Sequence, residues 1–256
     1  MVKTNPEKIS SIALPAAAFL AIISLWEIFL RFYAVPEYIL PAPSRIAADL
    51  FSNIGMLAYN SGITLCEAFL GFLAANLFAL VTAAVFVHSK TIKMAFYPFA
   101  IAIKITPIVA IAPLLILWFG NGFMSKAATA AIIAFFPILV NTVKGLESVG
   151  KDELDLFKSL SASKWQIFVN LRFPAALPYI FSALKVSTSL AIVGALVGEF
   201  VGSNKGIGFV ILMSSHYLDT VRMFSAIISI VLVGIFLFGA ISLIEKKILF
   251  WSGAKE

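Results

Sequence analysis

Three ionisable side chains sit inside strongly apolar stretches: Glu67, Lys104 and Glu199. A charge in lipid is costly. Such groups therefore face a bundle interior or a wet path, and they mark routes for ions or polar solutes. Glu67 and Glu199 fall toward one end of their stretches, where they could meet a solute, dock a delivery protein, or simply be wetted. Lys104 lies mid-stretch in KITPIVAIAP, close to Thr106 and Pro107. Proline has no amide proton, so Pro107 leaves the carbonyl of Ile103 without its helical donor. A free carbonyl beside a cation would suit a polar or anionic solute. Glu27 and Lys185 lie near the ends of apolar runs, where snorkelling accounts for them.

Other chemistries lack their residues. There is no G-x-x-x-x-G-K-[ST], and GSNKGIGF has neither that spacing nor a preceding strand, so this chain has no P-loop for ATP. His88 and His216 fall on opposite membrane sides in the topology below, and no cysteine cluster replaces them as metal ligands. Neither G-x-S-x-G nor H-E-x-x-H occurs. We therefore expect no catalytic residue, no metal ligand and no cofactor in this chain. The lone Cys66 reads as a small buried hydrophobe.

The elements that must position the three charges are membrane helices. The chain is 61% hydrophobic and 12% charged, far from the composition of a soluble domain. Its net charge of +6 fits basic membrane loops rather than nucleic-acid binding. Apolar runs predict six spans, near residues 11–30, 61–87, 94–119, 125–143, 179–200 and 223–244, in one transmembrane domain. Pro98, Pro107 and Pro113 predict a broken third span, a feature tolerated where backbone lines a cavity. Gly71 with Ala74 and Ala75 gives the second span a small face. Gly194, Gly198 and Gly202 recur every four residues, so one face of the fifth span admits a neighbouring backbone. Before the second span, Pro41 and Pro43 stop a helix. Ser44 can cap a new amphipathic one carrying Ile46, Leu50, Ile54 and Leu57. Residues 201–222 read as an irregular loop. Twelve Lys and Arg fall on the side of the termini and the fourth loop, against four on the other. Both termini and that loop are therefore expected in the cytoplasm.

That loop, 144–178, is the polar island of the chain. Lys151 to Pro178 mixes acids and bases with Leu154, Phe157, Leu160, Trp165 and Phe168 at helical spacing. The pattern predicts two short amphipathic helices joined near Ser161 to Ser163. Their apolar sides need a lipid surface or a protein partner. Lipid-binding helices are mostly basic, and the mixed charges here favour a protein.

The island resembles the cytoplasmic EAA loop of permeases in ATP-binding-cassette (ABC) importers: Glu-Ala-Ala, three residues, Gly, nine residues, Ile-x-Leu-Pro. Here Asp155, Leu156 and Phe157 stand for Glu-Ala-Ala, Ser161 for the glycine, and Leu171, Arg172, Phe173 and Pro174 for the end. WFGNGFMSK, FFPILVNTVKGLESV, SLSASKWQIFVNLRFPAALPYIFSALK and GEFVGSNKGIGFVI are similar to the nitrate, sulfonate and taurine group, which includes permeases for pyrimidine and vitamin precursors. The likeness runs roughly from Pro36 to Trp251. It implies an all-α, six-span, type I importer-like permease of the cell inner membrane, itself not an enzyme. It implies a homodimer with two ATPase subunits, which carry ATP and Mg, and an extracytoplasmic solute-binding protein. The loop would dock on an ATPase through Phe157, Leu160 and Trp165, oriented by Asp155, Lys158 and Lys164, with Ser161 and Pro174 shaping it. If the glycine position needs positive φ, Ser161 costs about 1 kcal/mol. Nitrate, sulfonates, taurine, thiamine-type pyrimidines and riboflavin stay open as substrates. A stand-alone secondary transporter is the alternative; it would need more intramembrane coupling charges than this chain has.

Overall fold

The computed structural model describes residues 6–250, with side chains from Ala13 onward. Lys3, Trp251 and Lys255 lie outside the described residues. Every regular element among the described residues is helical: α1 (Pro6–Tyr33), α2 (Pro43–Ser52), α3 (Ile54–His88), α4 (Lys90–Ile105), α5 (Ile108–Phe119), α6 (Phe123–Leu146), α7 (Lys151–Ser159), α8 (Lys164–Ile167), a π-helical turn at Phe168–Arg172, α9 (Phe173–Gly202), α10 (Ile207–His216) and α11 (Thr220–Ile248). Among the described residues five helices are long and apolar enough to cross a membrane, and the bent pair α4–α5 makes a sixth if it counts as one span.

The described residues form two compact units, one of residues 59–209 with those from 230 onward and one of those up to 58 with 210–229. In the larger unit Gly194 and Gly198 are used as expected, whereas Gly202 faces the side chains of Ile116 and Asn121. A Cβ on Gly194 of α9 would lie 2.5 Å from Cα of Ala130 on α6, and one on Gly198 would lie 3.0 Å from Cα of Lys126. From the other side, a Cβ on Gly71 of α3 would lie 2.5 Å from Cβ of Ala130. Ala130 is fully buried. Glycine on both flanking helices therefore sets how closely α3, α6 and α9 approach, the usual device where lipid supplies no hydrophobic drive between helices. Lys185 does not merely snorkel: its Nζ is 2.8 Å from Glu245 on α11.

The third span breaks at one proline. Pro98 and Pro113 stay inside α4 and α5, whereas the two helices meet at 99° across Thr106 and Pro107. A residue before proline is pushed to extended backbone, and Thr106 has ψ 127°. Lys104 is consequently in the last turn of α4, where its cation complements the helix carbonyls, and not midway along a continuous span.

In the smaller unit, α2 starts with Pro43, after Ala42 as N-cap. Ser44 is not the cap. Its amide and hydroxyl donate to Glu27 at 3.0 and 2.8 Å, and Arg31 donates to the same carboxylate at 2.9 Å. Glu27 is thus an inter-helix tie and more than a boundary charge. The guanidinium of Arg222 grips Asp49 with contacts of 2.8 to 3.1 Å, the forked geometry that makes such pairs strong. Burial is the strongest single influence on the Asp49 carboxyl and pushes it up, but hydrogen bonds from Arg222, Ser225 and Asn53 together with the Arg222 charge outweigh it and hold it below its ordinary 3.8. The amphipathic helix is shorter than expected, because α2 ends before Asn53 and Ile54 and Leu57 already belong to α3. The expected irregular loop at 201–222 contains α10. Cys66 is exposed, not buried.

Candidate functional site

Glu67 and Glu199 come together in the core of the larger unit. Glu199 is 0% exposed and Glu67 4%, so neither is wetted. Glu199 sits one turn before the end of α9, and Oε1 accepts from the Thr64 hydroxyl of α3 at 2.6 Å. Its Oε2 accepts from the Gly208 amide. The Thr64 oxygen in turn accepts from the Ile207 amide at 2.8 Å, and Oδ1 of Asn60 accepts from the Gly206 amide at 3.0 Å. These three amides lead into α10, so α3 and α9 supply acceptors to the orphan donors at a helix start. A carboxylate there also complements the helix dipole. Gly206 has φ +94°, and a Cβ on it would run into the Glu199 carboxylate. Only glycine fits that position.

Sequence reasoning missed the cation of this cluster. Lys126 on α6 is 2% exposed; its Nζ donates to Oδ1 of Asn121 at 2.6 Å and lies in the field of both carboxylates. Lys126 closes the WFGNGFMSK run and sits at the edge of a span, where a lysine looks like a loop charge. Oε2 of Glu67 meets no donor among the described residues. The cluster can fix the turn between α9 and α10. Lys104, Thr106 and Pro107 are not part of it: all three are exposed. The Lys104 ammonium lies 4.9 Å from the centre of the Phe136 ring, within cation–π range, and the Thr106 hydroxyl donates to Ala102 at 2.8 Å.

The polar loop is held by its own caps. The Gly150 amide donates to Glu153 at 2.9 Å, opening α7. At the other end Ala162 donates to the Phe157 carbonyl at 3.0 Å and Ser161 to that of Lys158 at 2.9 Å. This is the paired closure of a Schellman motif. Ser161 has φ +56°, the left-handed conformation that the motif's glycine would adopt freely, so the strain expected of serine there is real. Ser163 and Gln166 then cap α8 reciprocally at 2.7 and 3.2 Å, as a capping box does. The second short helix is not free-standing. It runs through the π turn into α9, with Pro174 in the first turn, as its missing donor allows.

Leu160 and Trp165 are 72% and 68% exposed, as anchors for a partner should be, and Leu156, which sequence reasoning passed over, is 59% exposed. Phe157 is half-buried. Lys158 is occupied by Asp155 at 2.9 Å. The Trp165 ring stacks on Phe168, 5.8 Å between centres, and Phe168 meets His88 and Phe173. The exposed apolar ridge therefore stands on an aromatic base.

Comparison with known proteins gives this arrangement a family. Residues 75–250 match the binding-protein-dependent transport system inner membrane component. The chain is 32% identical to a probable ABC transporter permease protein of Haemophilus influenzae, over 90% of this chain and 94% of the relative. It is also 32% identical to the formylaminopyrimidine transport permease protein ThiX of Halalkalibacterium halodurans, over 93% and 95%. Its fold is similar to a chain of the inward-facing MetNI methionine ABC transporter, with a TM-score of 0.58 at 16% identity, covering 78% of this chain and 97% of that one. The chain thus belongs to the binding-protein-dependent inner-membrane component family: it is the multi-pass permease component of an ABC importer, and the ATPase is a separate subunit.

Proposed function

We propose that two copies of this permease form the path for a small solute delivered by an extracytoplasmic binding protein. Each copy presents residues 144–178 to one of two ATPase subunits, which hold ATP and Mg. The observation that carries this reading is the ridge of Leu156, Leu160 and Trp165, exposed on a loop whose two short helices are each capped at their start. A capped loop transmits force, and exposed apolar anchors give a partner something to bury. The solute belongs to the nitrate, sulfonate and taurine class or to the thiamine-pyrimidine and riboflavin class. Both termini and the loop face the cytoplasm, in keeping with the excess of Lys and Arg there.

Single cysteines at Ser163 and Ser203 test the orientation. Cys66 is exposed, so a Cys66→Ser background is required. In intact cells an impermeant thiol reagent should label position 203 and spare position 163; the reverse pattern inverts the topology. Uptake that persists after ATP depletion would favour a secondary transporter.

Within the path, Lys104, Thr106 and Pro107 face the solute at the 99° bend, while Glu67 and Glu199 hold the wall from behind. Lys104→Met should lower uptake about tenfold, the effect of losing roughly one charge-assisted contact, with membrane yield and basal ATP hydrolysis unchanged. Falling yield would make Lys104 a structural residue, and wild-type uptake would remove it from the path.

A further inference from the structure

Below the coupling loop, α4 and the end of α6 enclose a cavity of about 590 Å³ with α7 and the π turn. That is within the roughly 300–1,000 Å³ typical of small-molecule pockets. Its lining includes the apolar Phe86, Met94, Tyr97 and Leu146 and the basic Lys90, Lys93 and Arg172; Phe86 and Leu146 are buried, whereas Met94 is open to the surroundings. A second cavity of about 240 Å³ shares Val87, Leu154 and Arg172 with it and adds Lys158 and Lys164. Together they present five basic side chains and a single carboxylate, Glu147. Glu147 is already bound by Lys93 at 2.7 Å, and Lys158 by Asp155. Lys90, Lys164 and Arg172 form no ion pair with another described residue, so positive charge is left over in the lining.

We propose that this groove holds an anionic phospholipid of the inner leaflet, its phosphate between Lys90 and Arg172 and an acyl chain along Met94 and Tyr97. The occupant is a lipid because charge and apolarity are both matched. Basic side chains beside apolar ones, between spanning helices at the cytoplasmic boundary, suit a phosphate attached to a chain. A free phosphate would leave the apolar lining uncovered, and a soluble acidic protein would have to reach in between helices. The proposal rests on the cytoplasmic placement of the loop given above. Arg172 lies in the π turn and Leu154 on α7, so a bound lipid touches both helical arms of the coupling loop. The groove thereby becomes a place where membrane composition acts on coupling.

The test uses the full-chain permease assembled with its ATPase in nanodiscs of phosphatidylcholine containing a minority of phosphatidylglycerol, followed by native mass spectrometry. Phosphatidylglycerol should be retained selectively. Lys90→Gln with Arg172→Gln should reduce retention roughly thirtyfold, two surface charges' worth of attraction. Lys90→Arg should preserve it, and Lys205→Gln, away from the groove, should change nothing. If the double variant assembles poorly, Lys90→Gln alone, at a partial loss, carries the test. Equal retention of both lipids, retention unchanged by Lys90→Gln, or displacement of the lipid by millimolar inorganic phosphate would overturn the proposal. So would protection of the groove by the ATPase or a second permease copy. An inverted topology registers separately, as labelling of position 163 in intact cells.

Discussion

Glu199→Leu is expected to abolish most of the folded protein. The change strands the Gly208 amide, removes the acceptor of Thr64 and takes a counter-charge from buried Lys126. Unmet buried groups cost about 1–3 kcal/mol each, and a broken buried charge set about 3–5 kcal/mol. A loss on the order of 3 kcal/mol is a large part of the roughly 5–15 kcal/mol that stabilises a folded domain. Membrane yield and thermal midpoint in detergent should both fall sharply. Glu199→Gln should be intermediate, because it keeps the shape but can turn a donor toward Gly208. Glu67→Gln should be the mildest, since Oε2 of Glu67 already meets no donor among the described residues. Wild-type yield and midpoint for Glu199→Leu would remove the cluster as the element that holds α10.

The second large effect belongs to the coupling loop. Leu160→Ala combined with Trp165→Ala should leave the permease in the membrane at normal yield, because both side chains are exposed. Its hold on the ATPase should weaken by more than about thirtyfold, from the 2 kcal/mol or more typical of a lost anchor. Phe157→Ala differs in kind. Phe157 is half-buried, so its loss should loosen the loop itself as well as the contact. Undiminished co-purification of the double variant with the ATPase would show that the ridge lies outside the interface.

Features that lie within one stretch of sequence were legible beforehand. Glycine every fourth residue reports close approach of another backbone directly, and Gly194 and Gly198 do meet α6. The caps of the polar loop could be anticipated because Ser163 and Ser161 stand where a turn must form. Features that depend on several stretches were hidden. Lys126 looked like a span-edge lysine because its burial is created by Asn121, Glu67 and Glu199 from elsewhere in the chain. The start of α10 is secured by Asn60, Thr64 and Glu199, so its segment alone read as a loop. The apolar period of α2 continues past Asn53 into α3, which concealed the break between them. Three prolines looked equivalent in the third span, yet only Pro107, after extended Thr106, divides it.

We propose that the ridge on residues 156–165 docks on a separate ATPase. The most direct test is a photoreactive benzoylphenylalanine placed at Trp165 in the full-chain permease, expressed with its ATPase and irradiated in cells. The predicted product is one covalent adduct of permease and ATPase, reduced when Leu160 is also replaced by alanine. Adducts with lipid or with the extracytoplasmic binding protein, and none with the ATPase, would contradict it.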